Sequence, residues 1–217
     1  AGTLDTLKQP FFASFFSLSS HHPFKVPQKY EGKFPKGNIP LHEPLGYTDN
    51  ALRAFFATAA KSDWYANTLF VLCADHASQS YLPEYQTSAT SFAIPIVFYY
   101  PGGNLKGMSD KLVQQIDIMP TVLNFMHYPK PYFAFGFDAF DSSKDNFVVN
   151  NVGNSYNLYY GDYFMSHDGE KATSLFNLKE DRLQQHNLMN VDKGVLDKGE
   201  MQLKSFIQRY NHSMINN

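Results

Sequence analysis

One cysteine, one tryptophan and no apolar run of membrane length set the first limits on this 217-residue chain. Cys73 alone excludes an internal disulfide framework and any multi-cysteine zinc or iron–sulfur site. It leaves the compartment open, because many exported domains have no disulfides. No stretch approaches the roughly 18 to 20 residues of a membrane span, and Ala1 to Asp5 carry neither a charged n-region nor an apolar h-region. Either the protein works inside the cell, or its targeting segment lies outside these residues. An excess of one charge is also missing. Eighteen Lys and Arg against 20 Asp and Glu give a net charge of −2. That near-balance excludes a generic polyanion binder of the kind that coats DNA or RNA.

Apolar side chains are plentiful. Hydrophobic residues make up 43% and aromatics 16%, with 20 Phe and 14 Tyr, which excludes the composition of a disordered chain. A chain of this length buries a sizeable core as one large domain or as one domain with an appendage.

Phe11 to Ser19 (FFASFFSLS) is an apolar and aromatic run between Pro10 and Pro23, and it reads as a buried strand of a parallel or mixed sheet. It ends in Ser20-His21-His22-Pro23. Four prolines and interspersed lysines between Lys25 and Pro44 predict an irregular surface loop, long enough to act as a lid. Thr48 or Asp49 can cap a helix to about Lys61, with Leu52, Phe55, Phe56 and Ala59 on one face. Thr68 to Ala74 (TLFVLCA) predicts a second buried strand, with Asp75 and His76 at its carboxyl end. Ile94 to Tyr100 predicts a third, with Pro95 outside the pairing. Asp117 is placed to cap a helix that carries Pro120 in its first turn and buries Val122, Leu123 and Met126. From Phe147 to Leu178, short Tyr/Phe/Val segments alternate with turn signals at Gly153, Gly161 and Gly169, which predicts an antiparallel meander. Val191 to Tyr210 predicts a terminal helix.

The chemistry-bearing candidates sit at strand ends. Asp75-His76 pairs a hard oxygen with a borderline nitrogen, a donor set that suits Zn²⁺ or Mn²⁺; the competing reading is an ordinary strand-end turn with a hydrogen-bonded imidazole. His21-His22 leaves the same two readings open. Parallel strands would deliver both sites to one sheet edge. Cys73 reads as a small buried hydrophobe. His42, His127, His167, His186 and His212 read as solvated. The Tyr and Phe after Tyr128 read as packing residues rather than a carbohydrate platform. No glycine-rich phosphate loop, G-x-S-x-G elbow or H-E-x-x-H helix is present.

In this order, FASFFSLSSHHPF (12–24), YTDNALRAFF (47–56), TLFVLCADH (68–76), residues 94–101, DIMPTVL (117–123) and SLFNLKEDRLQQHNL (174–188) resemble the C-terminal half of the sulfatase branch of the alkaline phosphatase superfamily. Within that branch they are most similar to the lipoteichoic acid synthase-like phosphoglycerol transferases. The resemblance implies an α/β fold: part of an alkaline phosphatase-like sandwich, a mixed sheet flanked by helices, with a small C-terminal antiparallel sheet and a terminal helix. Residues 1–140 would be the C-terminal part of the catalytic domain. Residues 141–217 would be the meander and helix packed on it. Asp75 and His76 match the family's metal ligands, and His21 matches the histidine that faces the substrate or a second metal, with His22 as the alternative one residue along. The resemblance further implies a divalent metal ion, Mn or Zn first and Mg or Ca next. It implies a phospho- or sulfo-ester substrate such as a lipid headgroup or glycan, no nucleic acid, and a membrane-anchored parent working on the extracytoplasmic face or in the periplasm.

The sequence also departs from the family. Ala77 replaces the glycine that often follows Asp-His, no histidine lies between His76 and His127, and Cys73 is not in a C-x-P-x-R setting. The family's nucleophile and an acidic ligand lie well upstream of its S-H-x-P segment, where this chain has only nineteen residues. The expectation is therefore a piece of a longer enzyme, inactive alone. The rival is a non-catalytic relative that holds an anionic glycan or headgroup.

Overall fold

The structure, a computed structural model, describes residues 1–216. The chain divides into two compact units, Ala1–Leu82 with Ile94–Gly107, and Pro83–Ala93 with Met108–Asn217.

Aromatic packing organises the first unit. Helix α1 (His42–Ala59) starts seven residues before a helix capped by Thr48 would, because Pro44 falls in its first turn, where a missing N–H costs nothing. Gly46 allows close approach at the next turn: a Cβ there would stand 2.9 Å from the Cβ of Phe34. Phe55 and Phe56 of α1 face Phe70, with ring centroids 6.2 and 5.1 Å away. Phe70 opens strand β1 (Phe70–Cys73), which pairs antiparallel with β2 (Ile96–Tyr99) in the register Phe70↔Tyr99 to Cys73↔Ile96. Pro95 stays outside that ladder, as its missing donor requires. Trp64, almost fully buried, donates from Nε1 to Asp5 Oδ1 at 2.6 Å and closes the core with Leu4 and Ala59.

Two expectations fail in this unit. Residues 11–18 form no strand, and Phe12 and Phe15 are 91% and 74% exposed. An apolar run becomes a strand only where a neighbour takes up its N–H and C=O groups, and among the described residues none pairs with it. Only Phe11 and Phe15 make ring contacts from this run, with Trp64 and Phe55. Cys73, the expected buried hydrophobe, is exposed at the end of β1.

The second unit has the meander that the turn signals predict. Strands β3 (Phe147–Val152), β4 (Ser155–Tyr160), β5 (Tyr163–His167) and β6 (Ala172–Asn177) form a four-stranded antiparallel sheet in sequence order. Gly153 (φ 61°) and Gly161 (φ 54°) supply the positive φ that the two-residue hairpins need. Helix α3 (Lys193–Asn216) covers one face, burying Leu203 against Leu158, Met165 and Leu175. On the other face, Tyr159 and Phe164 pack with Ala89.

Helix α2 (Ile118–Phe125) follows a 3₁₀ turn, Gln115–Asp117. Asp117 serves that turn rather than α2: its buried carboxylate accepts N–H bonds from Gln114 (2.9 Å) and Phe137 (2.7 Å). Pro120 and Thr121 are the buried residues of α2, and Met126 is exposed rather than packed.

Candidate functional site

The candidate site is built at the end of β1. The ladder stops at Cys73↔Ile96, and the chain bends through Asp75 and His76. The Asp75 carboxylate caps this bend, with Oδ1 accepting the His76 backbone N–H at 3.0 Å. His76 Nδ1 lies 2.7 Å from the Ala77 carbonyl oxygen. A carbonyl only accepts, so Nδ1 carries a proton and donates, and in the neutral ring the lone pair is on Nε2. That nitrogen stands 3.5 Å from Asp75 Oδ2, with both side chains more than half exposed. The turn therefore brings one carboxylate oxygen and the outer imidazole nitrogen side by side at the surface.

These two atoms fit a metal. Bonds of about 2.0 to 2.2 Å in tetrahedral geometry separate neighbouring ligand atoms by roughly 3.4 Å. Ligating histidines characteristically donate their other ring N–H to a carbonyl or carboxylate, which fixes the tautomer. His76 meets both conditions. Among the described residues, however, no group of three His, Cys, Asp or Glu side chains comes together. Asp75 and His76 thus supply two donors, and His21 does not join them in one cluster. The expected delivery of His21 by a parallel strand fails with that strand.

His21 nonetheless repeats the pattern of His76. The backbone turns tightly around it, with His21 N–H bonded to Leu18 O and Phe24 N–H to His21 O. Its Nδ1 donates to the His22 carbonyl at 2.8 Å, so Nε2 again carries the lone pair on an exposed ring. His22 packs its ring edge-on against Phe24 instead. His42 and His167 have the opposite tautomer: backbone N–H groups of Asn38 and Gly169 donate to their Nδ1 atoms, which puts the proton on Nε2.

His167 also corrects the sequence reading. It is 1% exposed, not solvated, and its Nε2 makes no hydrogen bond among the described residues, lying 3.9 Å from Glu200 Oε1. Strand alternation was the available signal, because His167 falls two residues after the buried Met165. A cavity of about 720 Å³ in the second unit is lined by five aromatics, Phe133, Phe135, Tyr156, Phe206 and Tyr210, together with aliphatic and asparagine side chains, and by none of the candidate residues.

A family model described as Sulfatase matches residues 2–128, more than half of the chain. The chain belongs to the sulfatase family. It is 27% identical over 165 residues to lipoteichoic acid synthase 1 of Bacillus subtilis (strain 168), covering 67% of this chain and 26% of that protein. Lipoteichoic acid synthase of Staphylococcus aureus (strain USA300) is 26% identical over 165 residues, with 65% and 25% covered. A crystal structure of an alkaline phosphatase superfamily protein from Vibrio parahaemolyticus superposes with a TM-score of 0.72 at 22% identity, covering 97% of this chain and 52% of that one. This likeness confirms the α/β fold with its small antiparallel sheet and terminal helix. The chain spans about a quarter of the length of the curated relatives. No helix among the described residues is long and apolar enough to cross a membrane.

Proposed function

We propose that this chain is the part of a metal-dependent sulfatase-family enzyme that holds a divalent ion through Asp75 Oδ2 and His76 Nε2 and acts on a phospho- or sulfo-ester. The observation that carries the reading is the 3.5 Å pairing of those two atoms, with the His76 proton fixed on Nδ1 by the Ala77 carbonyl. Manganese or zinc suits one oxygen and one imidazole donor better than magnesium or calcium, which favour all-oxygen shells. When bound, the ion supplies Lewis-acid charge stabilisation at the transferred group.

The roles of this chain's own residues follow from their tautomers. Asp75 holds the His76 backbone through Oδ1 while presenting Oδ2. His21, with Nδ1–H anchored on His22 O, presents Nε2 to the transferred group. In its neutral form that nitrogen accepts a proton from a hydroxyl, and in its protonated form it donates to an anionic oxygen. The Thr or Ser nucleophile comes from outside these 217 residues, in keeping with the quarter-length match to the lipoteichoic acid synthases. The chain by itself turns nothing over. The intact enzyme works on the extracytoplasmic face of the membrane, and a lipid headgroup or glycan carries the ester.

In the intact enzyme, Asp75→Ala is expected to remove bound metal, measured by elemental analysis, together with turnover. Retention of full metal content and activity in that variant overturns the assignment. Loss of metal with unchanged ligand binding, in an intact enzyme without turnover, points to a non-catalytic anion-binding role.

A further inference from the structure

Four lysines, Lys25, Lys29, Lys33 and Lys36, fall within twelve residues of the loop that follows His21, with Glu31 as the single acid among them. The near-neutral total charge hides this local excess. All four side chains are exposed, and none is in an ion pair among the described residues. The structure places two of them together: Lys29 Nζ is 4.9 Å and Lys33 Nζ 5.4 Å from the centre of the same Tyr30 ring. Two charges this close to one ring centre stand no farther apart than about 10 Å, one Debye length at 0.1 M salt, where like charges still repel. An anion within reach of both relieves that repulsion.

The loop is held in place rather than loose. Tyr30 packs on Tyr47 and Phe34 at 5.1 and 6.3 Å, which ties it to α1. Glu43 accepts the Gly32 N–H at 2.8 Å, and His42 accepts that of Asn38. A fixed platform pays little ordering entropy on binding.

We infer that Lys29 and Lys33 on the Tyr30 platform, flanked by Lys25 and Lys36, form a subsite for a chain of repeating phosphate or sulfate esters. It would hold the substrate beyond the reacting group. A membrane surface fits less well, because the aromatic rings of the platform, Tyr30, Phe34 and Tyr47, are half-buried against one another rather than free to enter a bilayer. The assignment of the substrate as a polymer of such esters rests on the function proposed above; the anion-binding step does not.

The test uses the 217-residue chain in EDTA, so that the outcome is independent of any metal at Asp75 and His76. Fluorescence anisotropy of a labelled heparin hexasaccharide, and competition by linear polyphosphate, would be followed between about 50 and 200 mM NaCl. The expected result is binding that weakens with salt. Lys29→Gln/Lys33→Gln should weaken it at least about tenfold and lower the log–log salt slope by about 2, as two lost charge contacts require. Lys61→Gln/Lys106→Gln, two exposed lysines elsewhere in this unit, should leave it unchanged. No binding by the wild type, or equal binding by both double variants, overturns the proposal. Loss of binding to vesicles of equimolar phosphatidylglycerol and phosphatidylcholine, with heparin and polyphosphate binding intact, overturns it in favour of a membrane contact.

Discussion

Replacing Asp117 by alanine should cost the second unit about 2 to 4 kcal/mol, because two half-buried backbone donors lose the carboxylate that accepts from them at once. The carboxylate, fully buried, takes the N–H of Gln114 at 2.9 Å and of Phe137 at 2.7 Å. Each orphaned buried donor costs about 1 to 3 kcal/mol, and removal of a desolvated carboxyl gives part of that back. Nothing can fill in from Gly136, where a Cβ would already stand 2.7 Å from Asp117 Oδ1 and 2.2 Å from Ile116 O. Urea denaturation followed by far-UV circular dichroism reads the loss. Hydrogen exchange adds a local check, since the Gln114 and Phe137 amides should become the most accelerated in the variant. Asp117→Asn keeps one carbonyl acceptor and should lose less.

The pH dependence has a definite sign. Burial raises the Asp117 carboxyl above its ordinary 3.8, against the lowering effect of the Phe137 and Gln114 N–H bonds and of Lys111. A carboxyl held higher in the folded than in the unfolded chain adds stability that is fully present below about pH 3.8 and is lost as pH rises through the folded value. The wild type's stability relative to Asp117→Asn should therefore fall as pH rises above 3.8. An Asp117→Ala variant within about 0.5 kcal/mol of wild type, with unchanged exchange at both amides, would refute the reasoning.

Two further substitutions probe the packing under α3. Leu203→Ala, at a fully buried position against Leu158, Met165 and Leu175, should cost about 2.7 to 5 kcal/mol in denaturant titration; under 1 kcal/mol would show that the site collapses or is not core. Gly199→Ala gains up to about 1 kcal/mol of helix propensity, but its Cβ would meet Tyr160 Oη at 2.5 Å and Cζ at 2.7 Å. That ring is buried and its hydroxyl donates to Val195 O at 2.9 Å, so it has nowhere to swing, and the melting temperature should fall rather than rise.

The elements that could be read from the sequence carry their determinants locally. Glycines at the hairpin turns, Pro95 at the head of β2 and Pro120 in the first turn of α2 act through backbone geometry within a few residues. The elements that misled depend on distant partners. FFASFFSLS has the composition of a central strand, but strand formation needs a neighbour that the sequence cannot announce, and no described strand takes that place. The start of α1 was hidden because Pro44 and Gly46 look like loop residues; the first is allowed at a helix start, and the second is required by Phe34. At the candidate site, the residue types and the strand end were visible at Asp75-His76. The tautomers were not, because they are set by backbone carbonyls at Ala77 and His22. The lysines of the loop after His21 are visible in the sequence, but the gathering of Lys29 and Lys33 on one tyrosine ring is set by the fold, and no count of charges reveals it.

The most direct test of the central claim is a long-range ¹H–¹⁵N correlation spectrum of the histidine rings of this chain, recorded with and without added Zn²⁺. The account predicts that His76 is protonated on Nδ1, that its Nε2 resonance responds to the metal while those of the buried His167 and of His42 stay in place, and that Asp75→Ala abolishes the His76 response. A His76 ring protonated on Nε2, or a metal response confined to His127, His186 and His212, would contradict it.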